Sequence, residues 1–228
     1  MLNQRVYNPT LNPDLWDESD NLKPEVLKRL LKVGMDFYEE TELPANIKDI
    51  ILIGSSVNYN WTPNSDIDVH VVIDVSELGI QDENVIDTLL NSLKFKWNYE
   101  HDIKIKNHRI EVYIQDVNKE THSSGCYSLM RGMWIVKPDK ENITVDKESI
   151  KNKYDSWIYR INNTLKKPTE STLKKLIDDL YIMRQNGLDK AGEYSVENIV
   201  FKILRNKGNL DKVRNVRTDL YDKKMGLQ

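Results

Sequence analysis

An apolar run and a Gly-Ser turn are followed by a second apolar run, in which two aspartates alternate with apolar residues. Residues 51–74 read ILIGSSVNYNWTPNSDIDVHVVID. In a β-strand successive side chains point to opposite faces, so Asp66, Asp68 and His70 are predicted to share one face, and the intervening apolar residues the other. Two carboxylates this close repel each other unless a cation lies between them. The segment therefore predicts two strands, the second of which has an apolar face and an acidic face.

The acidic face indicates a divalent metal site. No Cys or His set with zinc spacing accompanies the two aspartates. Oxygen ligands favour Mg²⁺ or Mn²⁺ over zinc, and Mg²⁺ is usually held by one or two carboxylates together with substrate phosphates. Asp66 and Asp68 are therefore candidate metal ligands, and a solvated strand face is the alternative.

The Gly-Ser turn indicates a phosphate site beside these carboxylates. Gly54 follows the strand predicted at residues 50–53 and allows a close approach of the backbone. Ser55 and Ser56 offer hydroxyl and backbone N–H groups at the predicted start of a short helix, where an anion is favoured. We therefore expect Gly54, Ser55 and Ser56 to bind phosphate.

A hairpin is predicted at residues 102–115, with its turn at Asn107 and His108. The apolar positions of its second strand define a packed face, which leaves Glu111 at the centre of the polar face. A carboxylate is poorly suited to the middle of a strand unless it has a partner. Glu111 is therefore expected to have a partner, and the ordinary one is a cross-strand ion pair with a neighbouring lysine.

The order of strand, Gly-Ser, spacer and Asp-x-Asp resembles the signature of the DNA polymerase beta-like nucleotidyltransferase superfamily, which also has a third carboxylate on a neighbouring strand. The resemblance makes Glu111 the candidate third metal ligand and general base. It covers roughly residues 45–116. It implies an α+β fold in which a palm-like mixed or antiparallel sheet has flanking helices and is followed by a helical C-terminal region.

The resemblance also implies a chemistry. An NTP, with ATP as the expected one, would give its NMP to a hydroxyl acceptor and release pyrophosphate. Two Mg²⁺ or Mn²⁺ ions held by Asp66, Asp68 and Glu111 would assist the in-line displacement. Lys174 and Lys175 are candidates for binding the triphosphate by the same resemblance, although helix lysines are more often simply solvated.

The acceptor has four candidates: an RNA end, a protein hydroxyl, a small molecule or a second nucleotide. The alternative to an enzyme is a catalytically silent module with the same fold, which would bind a nucleotide or act as an antitoxin-like interaction module. The three carboxylates argue against it, because an inactive descendant has no reason to keep mutually repelling charges.

Three parts are predicted along the chain: an N-terminal arm at residues 1–24, a catalytic domain at 25–145 and a helical C-terminal domain at 146–228. The arm contains three prolines, and Leu11, Leu15 and Trp16 are expected to anchor it. Apolar periodicity predicts helices at about 24–40, 82–98, 147–165, 170–186, 195–207 and 209–223.

Charge is distributed unevenly between these parts. Residues 146–228 carry 18 Lys and Arg against 12 Asp and Glu, a net charge of +6, whereas residues 1–145 carry 15 against 24, a net charge of −9. The basic helices make RNA a candidate partner, but the overall charge of −3 argues against strong nonspecific binding of nucleic acid.

Composition is that of an ordinary globular protein, with 39% hydrophobic and 30% charged residues. No apolar run approaches the roughly 20 residues of a membrane span, and the first residues lack the apolar core of a signal peptide. Cys126 is the single cysteine, which excludes an internal disulfide. A cytoplasmic location without membrane association is therefore expected.

Overall fold

The computed structural model describes residues 7–119, 123–140 and 146–226. Residues 7–140 belong to one compact unit, and residues 146–226 belong to another. Residues 7–24 of the predicted arm therefore belong to the same unit as the sheet. Whether the three predicted parts are separate domains stays a prediction.

In its described residues, the first unit contains two α-helices and a six-stranded sheet. Its helices are α1 (Pro24–Thr41) and α2 (Glu83–Glu100). Its strands are β1 (Ile47–Ile53), β2 (Ile67–Ile73), β3 (Lys104–Ile105), β4 (His108–Asp116), β5 (Cys126–Ser128) and β6 (Met133–Val136). Single 3₁₀ turns follow β1 and β2, at Gly54–Val57 and Val75–Leu78.

The strands have the order β3-β4-β2-β1-β5-β6. Strands β2 and β4 run parallel, and the other neighbours are antiparallel, so the sheet is mixed, as the fold class predicted. Parallel neighbours need a long crossover connection, which here contains α2.

The predicted hairpin is present, but its turn is one residue earlier than expected. Lys106 and Asn107 form the turn, with φ of 50° and 68°, and β4 already begins at His108. Two consecutive left-handed residues are typical of a tight hairpin turn, because that geometry matches the twist of the strands. The alternation over residues 109–115 is unaffected, so Glu111 keeps its predicted face.

One face of the sheet packs against α1 and α2. Gly34 of α1 lies so close to β1 that an added Cβ would come 2.9 Å from Cγ2 of Ile50. Phe37 of α1 meets Trp97 of α2 edge to face, with ring centroids 5.6 Å apart. The apolar residues of β2 and β4 supply the sheet side of this core. Their polar neighbours consequently project from the opposite face.

The N-terminal arm is anchored by its apolar residues, as predicted. Leu11, Leu15 and Trp16 are at most 2% exposed. The Trp16 ring stacks on Trp134 with centroids 4.5 Å apart, and its Nε1 donates to the carbonyl oxygen of Ser56 at 2.8 Å. The arm thereby contacts the Gly-Ser turn directly.

The second unit is helical. It contains α3 (Lys147–Lys166), α4 (Glu170–Ala191), α5 (Val196–Asn206) and α6 (Asn209–Lys224), which confirms the four predicted helices within a few residues. Its core includes Ile161, Leu176, Leu180, Phe201 and Leu204. Within the described residues of both units, we find no helix with the length and apolar character needed to span a membrane.

Replacing Trp16 by alanine is predicted to destabilise the first unit by about 3–5 kcal/mol, because a buried indole and its hydrogen bond to Ser56 are both lost. Urea unfolding measures the change. Trp61→Ala is the control, since that side chain is only half-buried and its Nε1 bonds to Thr10. Equal losses in the two variants would contradict an anchoring role for Trp16.

Candidate active site

Asp68 and Glu111 lie side by side on the face of the sheet opposite α1 and α2. They are direct partners in the parallel register of β2 and β4. Neighbouring strands are about 4.8 Å apart, and register partners project to the same face. Both side chains are half-buried. The strand pairing thus brings together two of the three carboxylates predicted from the sequence.

Asp66 lies outside the strand in which the sequence placed it. Strand β2 begins at Ile67, so Asp66 lies in the preceding loop and its direction does not follow from strand alternation. The loop is well anchored at Ser65, whose carbonyl oxygen accepts a hydrogen bond from Nδ1 of His108 at 2.8 Å. His108 is 4% exposed, and its Nε2 accepts from the Asn12 amide at 2.9 Å.

The pKa of Tyr113 reflects the carboxylates that surround its hydroxyl. Its hydroxyl donates to a carboxylate oxygen of Glu111. Burial raises the pKa of Tyr113 well above its ordinary value, and the charge of Asp68 and the bond to Glu111 raise it further. The charge of Asp66 adds to the same shift. The three predicted carboxylates therefore all act electrostatically on one phenol.

Tyr113 was not predicted as a site residue. The signal available in the sequence was its spacing of two from Glu111, which places both side chains on one strand face. The spacing alone does not reveal that the hydroxyl points back to the carboxylate.

His70 has a structural hydrogen bond on the same face. Its Nδ1 donates to Oε1 of Gln115 at 2.7 Å, and its ring stacks on Tyr113 with centroids 4.7 Å apart. Burial lowers the pKa of His70 to about 4, and the bond to Gln115 offsets part of this shift. The ring is therefore neutral at neutral pH and adds no positive charge beside the carboxylates.

The Gly-Ser turn lies against Asp68. Gly54 has a φ of +76°, and a Cβ added to it would come 2.4 Å from Oδ2 of Asp68. The Gly54 amide donates to Oγ of Ser123 at 2.9 Å. The turn and the Asp-x-Asp strand therefore meet at a point where a side chain larger than hydrogen does not fit.

The two serines of the turn differ in their surroundings. The Ser56 side chain is 2% exposed, and its hydroxyl donates to the carbonyl oxygen of Ile53 at 3.2 Å. Ser55 is half-buried. Ser55 is thus the better placed of the two for a ligand, and phosphate binding by Gly54, Ser55 and Ser56 stays a prediction.

Lys174 and Lys175 belong to the helical unit, where both are exposed on α4. Lys174 pairs with Asp178 one turn further on, at 3.7 Å. Their predicted contact with a triphosphate stays a prediction.

A metal cage made by protein side chains alone is not assembled. Among residues 7–119, 123–140 and 146–226, no group of three His, Cys, Asp or Glu side chains is arranged to hold a metal ion. The oxygen donors of Asp68 and Glu111 nevertheless suit Mg²⁺, which commonly takes one or two carboxylates and completes its shell with water and substrate phosphates. The donor set therefore fits a cation that binds together with a nucleotide.

Gly54→Ala is predicted to be more destabilising than a left-handed backbone alone explains. An alanine in that conformation costs about 1–2 kcal/mol, and here the new methyl group must also displace the Asp68 carboxylate. Gly79→Ala is the matched control, because Gly79 has a φ of +70° with nothing within 4 Å of an added Cβ.

Urea unfolding of both variants measures the difference. The excess loss in Gly54→Ala should shrink when Asp68→Ala is added, since the clash is then removed. Equal losses at Gly54 and Gly79 would show that the close contact with Asp68 is absent.

No curated protein sequence matches the chain. Among solved structures, the STING-associated CdnE c-di-GMP synthase from Capnocytophaga granulosa is similar over 95% of this chain and 90% of that chain, with 14% identity and a TM-score of 0.26. A TM-score this low supports no further argument. Residues 36–123 match the model of the nucleotidyltransferase domain family, and this range includes the Gly-Ser turn, the Asp-x-Asp segment and Glu111. Over residues 36–123 the chain therefore carries a nucleotidyltransferase domain of the DNA polymerase beta-like superfamily, as the resemblance implied.

Proposed function

We propose that this protein is a metal-dependent nucleotidyltransferase that transfers an NMP from an NTP, with ATP as the expected one, to a hydroxyl acceptor. The single observation that carries the proposal is the register of β2 and β4, which sets Asp68 beside Glu111 next to the Gly-Ser turn. The family match over residues 36–123 supports the use of an NTP. The metal requirement and the nature of the acceptor go beyond what the family match supports.

Each part of the site has a role in this proposal. Asp66, Asp68 and Glu111 would hold Mg²⁺ or Mn²⁺, which when bound supplies charge stabilisation and a more acidic acceptor hydroxyl. The Gly54 backbone and the Ser55 hydroxyl bind the terminal phosphates.

The transfer is an in-line displacement at the α-phosphorus. The acceptor oxygen forms a bond to this phosphorus, and the bond from the phosphorus to the oxygen bridging to the β-phosphate breaks. Pyrophosphate leaves with the bonding electron pair. The proton of the acceptor hydroxyl passes to the Glu111 carboxylate, which acts as the general base.

Incubation with each α-labelled NTP, Mg²⁺ or Mn²⁺, and total RNA or cell extract tests the proposal and identifies the acceptor. Label on RNA, on protein, on a small molecule or in a dinucleotide separates the four acceptor classes. The charge of +6 on residues 146–228 supports RNA as one of them. NTP binding without label transfer under any condition would instead favour the catalytically silent module.

Asp66→Asn and Asp68→Asn are each predicted to abolish label transfer while leaving the metal-free protein folded and no less stable. Each change removes a metal ligand but also relieves repulsion between carboxylates. Asp74→Asn is the control, because Asp74 at the end of β2 caps the next 3₁₀ turn by accepting from the Ser76 amide. Parental transfer in Asp68→Asn with Mg²⁺ would exclude the proposed metal site.

Glu111→Gln is predicted to lower kcat by about 10²–10⁴-fold while NTP with Mg²⁺ still binds, because Glu111 acts on the acceptor hydroxyl rather than on the triphosphate. Single-turnover rates and equilibrium binding of a non-hydrolysable NTP analogue measure the two effects separately. Asp116→Asn, at the end of the same strand, should leave both unchanged. A large loss in Asp116→Asn and none in Glu111→Gln would move the third carboxylate to Asp116.

A further inference from the structure

Tyr113 is fixed in place from two elements of the first unit. The His70 ring of β2 stacks on it with an interplanar angle of 24°, and Nζ of Lys94 in α2 lies 4.0 Å from its ring centroid. His70 is in turn bonded to Gln115, whose amide nitrogen donates to the Lys119 carbonyl oxygen at 3.1 Å. The phenol ring therefore has little freedom to turn or tilt.

The strand that carries Tyr113 is fixed as well. Asn98 of α2 donates through Nδ2 to the Val112 carbonyl oxygen and accepts from the Val112 amide through Oδ1, both at 3.0 Å. The Asn98 side chain thus pairs with the backbone N–H and C=O of Val112 as a neighbouring strand would. Val112 is the residue between Glu111 and Tyr113. Both side chains consequently start from a well-defined backbone.

We propose that Tyr113 is a positioning residue for Glu111: its hydroxyl engages one carboxylate oxygen and holds the group in one orientation, which leaves the other oxygen to serve the metal ion and the acceptor hydroxyl of the proposed function. This inference rests on the proposed function, in which Glu111 is the third metal ligand. A hydrogen bond to an ionised carboxylate is strong, and a carboxylate has about four lone-pair sites, so one donor leaves capacity for a cation. Tyr113 acts through Glu111 and does not touch the reacting atoms.

Tyr113→Phe separates positioning from packing. The variant keeps the ring contacts with His70 and Lys94 and loses only the hydroxyl. Loss of a partner that orients a metal ligand typically costs 10–100-fold in metal affinity or activity. We therefore expect about 10-fold weaker binding of the Mn²⁺ ion that Glu111 would hold, with binding of the nucleotide unchanged. The electron paramagnetic resonance of free Mn²⁺, recorded with a non-hydrolysable NTP analogue present, measures the change.

Kinetics supply the second readout. We expect kcat of Tyr113→Phe to fall at least about 10-fold and to recover in part at high Mg²⁺, while KM for the NTP changes less than about twofold. In a double variant with Glu111→Gln, the loss should be no larger than that of Glu111→Gln alone, because Tyr113 acts only through that carboxylate.

Tyr38→Phe is the matched control. The Tyr38 hydroxyl is also in a half-buried residue of the first unit and donates to the carbonyl oxygen of Ala45 at 2.5 Å, outside the carboxylate cluster. It should match the parent in Mn²⁺ affinity and in kcat. An equal loss of both in Tyr38→Phe would show that the effects come from general destabilisation.

The failure of this inference can be told from failure of the proposed function. If the parent binds Mn²⁺ and transfers label, and Tyr113→Phe matches it in Mn²⁺ affinity and kcat, the positioning role is overturned and the proposed function stands. If the parent neither binds Mn²⁺ with the NTP analogue nor transfers label, both are overturned.

Discussion

The parallel pairing of β2 with β4 is the constraint on which the rest of the site depends. It places Asp68 beside Glu111, although α2 and the short strand β3 come between the two strands in the chain. Parallel neighbours need such a connection, and α2 both supplies it and covers the apolar side of β4. Packing on one side of the sheet therefore stabilises the pairing of β2 with β4, whereas repulsion between Asp68 and Glu111 on the other side opposes it.

Two local features reduce the cost of this acidic face. The Tyr113 hydroxyl donates to Glu111, so one carboxylate has a partner before any cation arrives. Gly54 leaves space for the Asp68 carboxylate, which would clash with any Cβ at that position. The close approach of Gly54 also places the Gly-Ser turn directly beside the Asp68 carboxylate.

The N-terminal arm is part of the site's scaffold. Trp16 donates to the carbonyl oxygen of Ser56 in the Gly-Ser turn. Asn12 donates to His108, and His108 in turn bonds to Ser65, next to Asp66. Both ends of the segment between the turn and the aspartates are therefore fixed by a part of the chain that precedes α1. The prolines and polar residues of the arm predicted a separate part of the chain. Its residues Asn12 and Trp16 nevertheless contribute to the geometry of the first unit.

Local patterns in the sequence located the helices and most of the strands, and they assigned the faces of β2 and β4 correctly. Alternation has a period of two whatever the neighbours are, so it correctly assigned Asp68 and Glu111 to polar strand faces, and apolar periodicity located the helices within a few residues. The Gly-Ser and Asp-x-Asp motifs are also local, and they indicated the nucleotidyltransferase domain that the family match confirms. Tertiary structure alone decided which strand lies beside β2, that Asp66 lies outside the strand and that Tyr113 bonds to Glu111. The physical reason is that these depend on contacts between distant segments and on where a strand begins, and periodicity within one segment carries no information about either.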